Sequence, residues 1–291
     1  MSAPLPATTG DRIFATTLGC LPTRAISRAA LSLAGARRRW LKNALIRAFL
    51  KGYPAIDMSE AAEPDAYAYD SFNAFFTRRL ASGARPAPDD ATALVCPVDG
   101  TLGALGDIEA GQLFQTKGVA YDVASLLDDS TLAARFTGGR YATFYLAPSN
   151  YHRVHMPSAG RLQATRYVPG RLFGVNPRCV RAVSRLFARN ERLVSLFETE
   201  NGPMALVLVG AFIVGGIHDV ATGRVCPPHR RAARAQRFNP ADHAYERGDE
   251  MGHFCLGSSV IALFGADVMA FDDVLAPGMP VKLNAPLGHC R

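Results

Sequence analysis

None of the six cysteines (Cys20, Cys96, Cys179, Cys226, Cys255 and Cys290) stands in a Cys-x-x-Cys pair. That argues against a structural zinc site or a dense disulfide framework, and it fits a reducing, cytosol-facing compartment. Long hydrophobic runs are missing too. The longest, Met204 to Ile217, has fourteen residues, three of them glycine; it is too short to cross a bilayer as a helix and reads as buried strand. There is no internal repeat of solenoid period and no low-complexity tract. Met1–Asp11 holds no hydrophobic run with a cleavage motif, so it is expected to be a loose tail rather than a secretory signal.

The most informative absence is of acid. Between Arg12 and Ile56 there is no Asp or Glu, while Arg12, Arg24, Arg28, Arg37, Arg38, Arg39, Lys42, Arg47 and Lys51 supply nine positive charges. Taking those nine from the chain's formal +7 leaves −2 for everything else, so the basicity belongs to one segment. Such a segment asks for an anionic partner. No aromatic-interleaved basic motif accompanies it, so nucleic acid is not expected. An anionic membrane surface, where each Lys or Arg is worth about 1 kcal/mol, fits better.

What is present points to an α/β chain of the α+β kind. Arg24 to Leu50 is rich in helix formers, and Trp40, Leu41, Ala44, Leu45, Ala48 and Phe49 recur at helical spacing, with Ile46 and Leu50 off that stripe. The spacing predicts one or two amphipathic helices broken near Gly35, with Trp40, Leu41, Leu45 and Phe49 available to a membrane. Gly52 to Tyr69 reads as a connection. Phe72, Phe75, Phe76 and Leu80 then share one helix face capped by Ser71. Beyond Thr92 come short apolar runs punctuated by turn residues: Leu94–Val98, Tyr141–Leu146, Tyr151–His155, Met204–Val214, Val260–Phe264 and Val281–Leu283. These predict a core of mostly antiparallel short strands with one helix near Val180–Phe187. The expected division is a basic helical segment over 1–56 and a β-rich core over 57–291.

Three places carry candidate chemistry. Gly257-Ser258 stands directly before the run Val260–Phe264; glycine can expose its carbonyl to a neighbouring hydroxyl, although a Gly-Ser turn entering a strand is also commonplace. In Tyr151-His152-Arg153-Val154-His155, strand alternation puts Tyr151, Arg153 and His155 on one face and His152 on the other, so both histidines reach one site only at a bend. No third ligand stands at zinc-like spacing, and no metal is expected. Asp99, in Pro97-Val98-Asp99-Gly100, is either a turn residue or an acid; with His155 and Ser258 it completes the residue types of an acid, base and nucleophile triad.

The ordered motifs PVDG (97–100), YHRVHMP (151–157), GRLFGVN (170–176) and RGDEMGHFCLGSSV (247–260), with FNAFFTRRLASGARP (72–86), resemble those of the type I phosphatidylserine decarboxylases. The resemblance runs from about Phe72 to Leu283. It departs at Gly174, where the family often has serine, and at Ser259, where it often has threonine. It implies that Asp99 orients His155, that His155 activates Ser258, and that Ser258 opens the Gly257–Ser258 peptide. Two chains, 1–257 and 258–291, would remain paired as a heterodimer. Ser258 would become a pyruvoyl cofactor that forms a Schiff base with the amine of phosphatidylserine, with His152 as proton donor in the decarboxylation. It also implies a peripheral protein on the cytoplasmic face of a bacterial membrane. Two other classes stay open on the residues alone: a serine hydrolase using Ser258, His155 and Asp99, for which the GxSxG elbow is missing, and a non-enzymatic membrane-binding β-domain.

Overall fold

The run Val260–Phe264 lies at the centre of the molecule. In a computed structural model that describes residues 7–116, 119–213, 216–227 and 231–291, it forms the strand Ser259–Phe264, buried along its whole length. That strand pairs antiparallel with Arg140–Tyr145 on one side and Gly202–Val209 on the other. A strand flanked on both sides and covered on both faces has no solvent face to offer polar residues, hence the unbroken Val-Ile-Ala-Leu-Phe. Around it a nine-stranded sheet runs in the order Arg234–Arg237, Gly160–Val168, Arg192–Thr199, Gly202–Val209, Ser259–Phe264, Arg140–Tyr145, Gly100–Asp107, Pro280–Val281. The ninth strand, Ala244–Tyr245, also pairs with Gly160–Val168.

A smaller sheet, in the order Gly223–Cys226, Ile217–Asp219, Glu250–Phe254, Arg153–His155, carries the second histidine. The chain leaves this sheet at Phe254 and enters the large one at Ser259, so Gly257-Ser258 occupies the crossing between the two. The described residues form eight α-helices and many antiparallel strands, the expected mixed class. The sequence signal missed Gly160–Val168 and Arg192–Thr199, because arginines and a glutamate interrupt their apolar residues. The single helix expected near Val180–Phe187 is two, Pro177–Ala182 and Leu186–Arg189, parted where Arg185 adopts a left-handed φ of 55°. Of the expected run Met204–Val214, position 214 lies outside the described residues.

The basic segment folds as α1 (Thr9–Cys20), α2 (Thr23–Ala34) and α3 (Arg39–Gly52). The break falls at Gly35, which caps α2. The start of α1 corrects the expectation of a loose tail as far as residues 7–11: Thr8 and Asp11 form a reciprocal capping box, and the Asp11 carboxylate also accepts from Arg178 and Arg181. The inner face of α3 also differs from the expected stripe. Ile46 is fully buried and Trp40 is 67% exposed, while Leu45, Phe49 and Leu50 pack on Phe72, Phe75 and Phe76 of α4 (Phe72–Phe76). The reason is Lys42. Its stem is buried and its Nζ donates to the carbonyls of Tyr67 (2.6 Å) and Tyr69 (2.7 Å), so a cation stands on the inner face and turns the helix away from the phase its apolar residues suggest. Leu45 and Phe49 are therefore packed inside the protein. Ser71 caps α4 as expected, but α4 ends at Phe76, leaving Leu80 in a bridge to Ala61.

Candidate active site

Ser258 is fully buried, and its Oγ has no hydrogen-bond partner among the described residues. Its carbonyl accepts from Leu146 N (2.9 Å), which locks the dipeptide to the end of the strand Arg140–Tyr145. A Cβ built on Gly257 would lie 3.4 Å from Leu146 O and 3.4 Å from His152 Cε1. The imidazole that meets the Gly-Ser peptide is thus His152. It comes from the bend after that same strand, where Asn150 Oδ1 accepts from Ala147 N (2.7 Å), and its own carbonyl accepts from Phe254 N (3.0 Å).

His152 has no exposed surface and stacks on Phe76 with ring centroids 4.1 Å apart. Burial holds its pKa down at about 3, so the ring is neutral. Nε2 lies 3.3 Å from Pro148 O, which can only accept, so Nε2 carries the proton and Nδ1 is a bare lone pair; Nδ1 has no partner. A neutral base and a hydroxyl, both buried and unpartnered, therefore flank one peptide bond.

His155 sits elsewhere on the same segment. It lies on the face of Tyr151, as alternation requires, and the two rings stack 5.7 Å apart. Nδ1 donates to Gly248 O (2.7 Å), leaving Nε2 to accept from the Tyr151 hydroxyl (3.0 Å), whose own pKa burial pushes up. Burial also lowers the pKa of His155. Arg153, between the histidines, is clamped by Glu250 at 2.6 Å. Burial pulls Glu250 up, but hydrogen bonds from His253 and Arg153 outweigh it and hold its pKa at about 2.

Asp99 accepts from Arg85 Nε (3.1 Å) and Nη2 (2.7 Å) and from Leu283 N (2.8 Å). Arg85 in turn binds Glu60 at 2.6 Å. The backbone ties this cluster to the histidine segment, because His155 N donates to Pro97 O (2.9 Å). Arg85, Tyr151 and His155 line one cavity of about 390 Å3, and Gly257 and Ser258 are not among its lining residues. The structure thus brings His152 to Gly257-Ser258, and His155 near Asp99, with each of these last two bonded to other groups. Sequence reasoning named Tyr151 and Phe76 only as members of a strand face and a helix face, and assigned no role in the site to them, Arg85 or Gly248. Arg85 and Phe76 lie within the segment 72–86 and Tyr151 within 151–157, so the motifs held the signal without the roles. The two departures have visible surroundings: a side chain at Gly174 would press on Cys179 Sγ at 3.1 Å, and Ser259 Oγ is a second buried, unpartnered hydroxyl.

A buried serine and a neutral imidazole thus meet at one peptide bond, at the crossing of two sheets. The family model described as phosphatidylserine decarboxylase matches residues 72–289, and a second, described as PSD, matches 13–54. The chain is 50% identical over 281 residues to the phosphatidylserine decarboxylase proenzyme of Pseudomonas fluorescens, covering 95% of this chain and 97% of that protein. It is 49% identical over 278 residues to the proenzyme of the same name from Pseudomonas aeruginosa, covering 94% and 96%. For that of Stutzerimonas stutzeri the identity is 47% over 283 residues, covering 96% and 95%. The chain belongs to the phosphatidylserine decarboxylase family, and it is an enzyme.

Proposed function

We propose that this chain is a proenzyme that cuts itself between Gly257 and Ser258, turns Ser258 into a pyruvoyl group, and decarboxylates phosphatidylserine to phosphatidylethanolamine. The observation that carries the reading is the Ser258 hydroxyl, fully buried and without a partner. An unsatisfied buried hydroxyl costs about 1–3 kcal/mol. Self-cleavage gives it a use: Oγ attacks the Gly257 carbonyl and the peptide becomes an ester. A base then removes the Ser258 α-proton, and chain 1–257 leaves as a carboxylate. The dehydroalanine that remains takes up water and releases ammonia, ending as pyruvoyl. That group is no larger than the serine it replaces and lacks the orphan hydroxyl, so the residues around it fit. Its ketone supplies the electron sink that loss of CO2 needs.

The chain's own residues do the rest. In the first assignment His155 takes the Ser258 proton once Ser258 replaces the Tyr151 hydroxyl at Nε2, and Asp99 is the nearby acid that favours the charged ring, whose Nδ1 is held by Gly248 O. A second assignment rests on one observation, the bare Nδ1 of His152 in the ring that meets Gly257; there His152 is the maturation base. In either case His152 is the candidate for returning a proton to the substrate carbon, once its bare Nδ1 has taken one up. The segment 258–291 contributes the central strand and three others; the central strand, Pro280–Val281 and Pro286–Cys290 pair with strands of 1–257, and Met269–Phe271 pairs with Pro286–Cys290, which supports the two chains staying together as a heterodimer.

Among the described residues no helix is long and apolar enough to cross a membrane. We place the protein peripherally on the cytoplasmic face, with the basic segment, residues 1–56, toward anionic lipid and 57–291 as the catalytic core. Ile13, Leu21, Leu33 and Trp40, exposed on or beside α1–α3, support this. Intact-mass measurement of purified protein tests the cleavage: two polypeptides are expected, the smaller beginning at 258 and blocked to amine sequencing. A single full-length chain after prolonged incubation rejects the proposal. An uncut His155→Ala with a cut His152→Ala supports the first base assignment, and the reverse pattern supports the second.

A further inference from the structure

A second site faces the junction of α1 and α2. There a cavity of about 750 Å3 is lined by Arg24, Arg28, Arg171, Arg189 and Arg231, together with Leu21 and the first turn of α2. Among the described residues its lining holds no aspartate or glutamate. Two of the arginines are held in place: Arg24 Nη2 donates to Gly170 O (2.7 Å), and the Arg189 guanidinium lies 4.8 Å from the Phe173 ring centroid. The helix end adds to the positive field, since α2 begins with no side-chain cap and no acidic residue in its first turn. Five guanidinium groups around one space repel each other unless an anion joins them, and their forked donors match phosphate oxygens.

The surroundings decide which phosphate. Leu21 is 39% exposed in the lining itself, and Ile13, Leu33 and Trp40 are exposed on the same three helices. Apolar surface beside a cationic cavity fits an amphiphile better than a free ion. The reacting lipid is a poor occupant. In phosphatidylserine only one methylene and one ester oxygen separate the reacting carbon from phosphorus, and the lining contains neither Gly257, Ser258, His152 nor His155. We propose that this cavity binds the phosphodiester of a second, non-reacting anionic phospholipid. Arginines of α2 and of the core close on that one group, so the lipid clamps the helices to the catalytic core. The proposal rests on the membrane reading above.

The test is flotation of the full-length protein with phosphatidylcholine vesicles containing a minor fraction of phosphatidylglycerol. Arg171→Gln/Arg189→Gln is compared with Arg37→Gln/Arg38→Gln, which removes two charges, also exposed, outside the cavity. The cavity pair should lower vesicle partitioning at least about tenfold more than the control pair, the difference between charge-assisted phosphate bonds and diffuse attraction. Equal losses overturn the site. Arg171→Lys/Arg189→Lys keeps the charge and removes the fork; it should bind nearer the Gln pair, and binding like wild type overturns the proposal even if the Gln pair folds poorly. Inorganic phosphate at matched ionic strength is the other arm. If it raises the melting temperature of wild type but not of the cavity pair, while both pairs float alike, the ligand is free phosphate and the lipid assignment fails. These vesicles contain no phosphatidylserine, so flotation is readable whether or not the chain cuts itself, and an uncut wild type counts only against the function above.

Discussion

Two buried polar clusters face the histidine segment from opposite sides, and they are built on opposite principles. Asp99 itself is fully engaged: Arg85 bridges Asp99 and Glu60, and Leu283 N fills a further acceptor site. Around Ser258 the hydroxyls of Ser258 and Ser259 and the Nδ1 of His152 have none. Paired groups fix geometry, because separating them strands a charge in a medium that solvates it poorly. Unpaired groups cost stability and leave a nucleophile and a base free to react. The contrast teaches that the first cluster is fixed by its pairs, whereas the second holds its polar atoms unsatisfied.

The largest expected effect breaks the unpaired side. Ser258→Ala should abolish cleavage entirely, since alanine offers neither nucleophile nor leaving oxygen; intact mass should show one 31.2 kDa chain. The uncut variant also supplies a background in which stability can be measured on one species. On the paired side, Arg85→Ala in that background should cost about 3–5 kcal/mol in urea unfolding, because Asp99 and Glu60 lose their shared cation. A loss under about 1 kcal/mol would mean that Asp99 is solvated and the contrast is false.

A third experiment reads the unpaired side by pH. His152 titrates near 3 in the folded chain against an ordinary 6.5, so below 6.5 the unfolded chain binds a proton that the folded chain refuses. Stability should therefore fall with pH from 6.5 toward 3, by up to roughly 1.4 kcal/mol per unit for that one proton. His155 and His218, also lowered by burial, add to the slope. Glu250 has the opposite sign of shift: its contribution is full above 4.5 and is lost only as pH falls from there toward 2. The window from 6.5 to 4.5 separates the histidines from Glu250. His152→Phe, which keeps a ring for Phe76 to stack on, should remove one proton's worth of slope there; an unchanged slope would mean that the buried ring is not held neutral. The smallest effect lies outside both clusters. Trp40→Ser, at an exposed position, should change stability by less than about 0.5 kcal/mol while weakening vesicle flotation. A large loss of stability would show that Trp40 packs inside.

The α3 helix shows why part of the site was illegible. Phe49 packs on Phe76, Phe76 stacks on His152, and Leu256 joins the same apolar cluster as Phe72 and Phe75. A segment whose charges read as a surface appendage thus reaches, by three contacts, the Gly257-Ser258 peptide. The clue misread was Lys42, because a cation is assigned outward unless two carbonyls are known to await it, and those of Tyr67 and Tyr69 lie more than twenty residues away.

By itself the sequence determined the elements whose causes are local. The apolar run Val260–Phe264 had to be a buried strand, Gly257 supplied the permissive residue before a serine, Gly35 ended α2, and alternation put Tyr151 and His155 on the face opposite His152. Tertiary structure alone decided which imidazole meets Gly257, that Asp99 is held by Arg85, and that five arginines from separate segments surround one cavity. The physical reason is that propensity and periodicity act over a turn or a strand. A contact such as His152 with Gly257 depends on how two sheets cross and on the bend that follows the strand Arg140–Tyr145, which no single segment encodes.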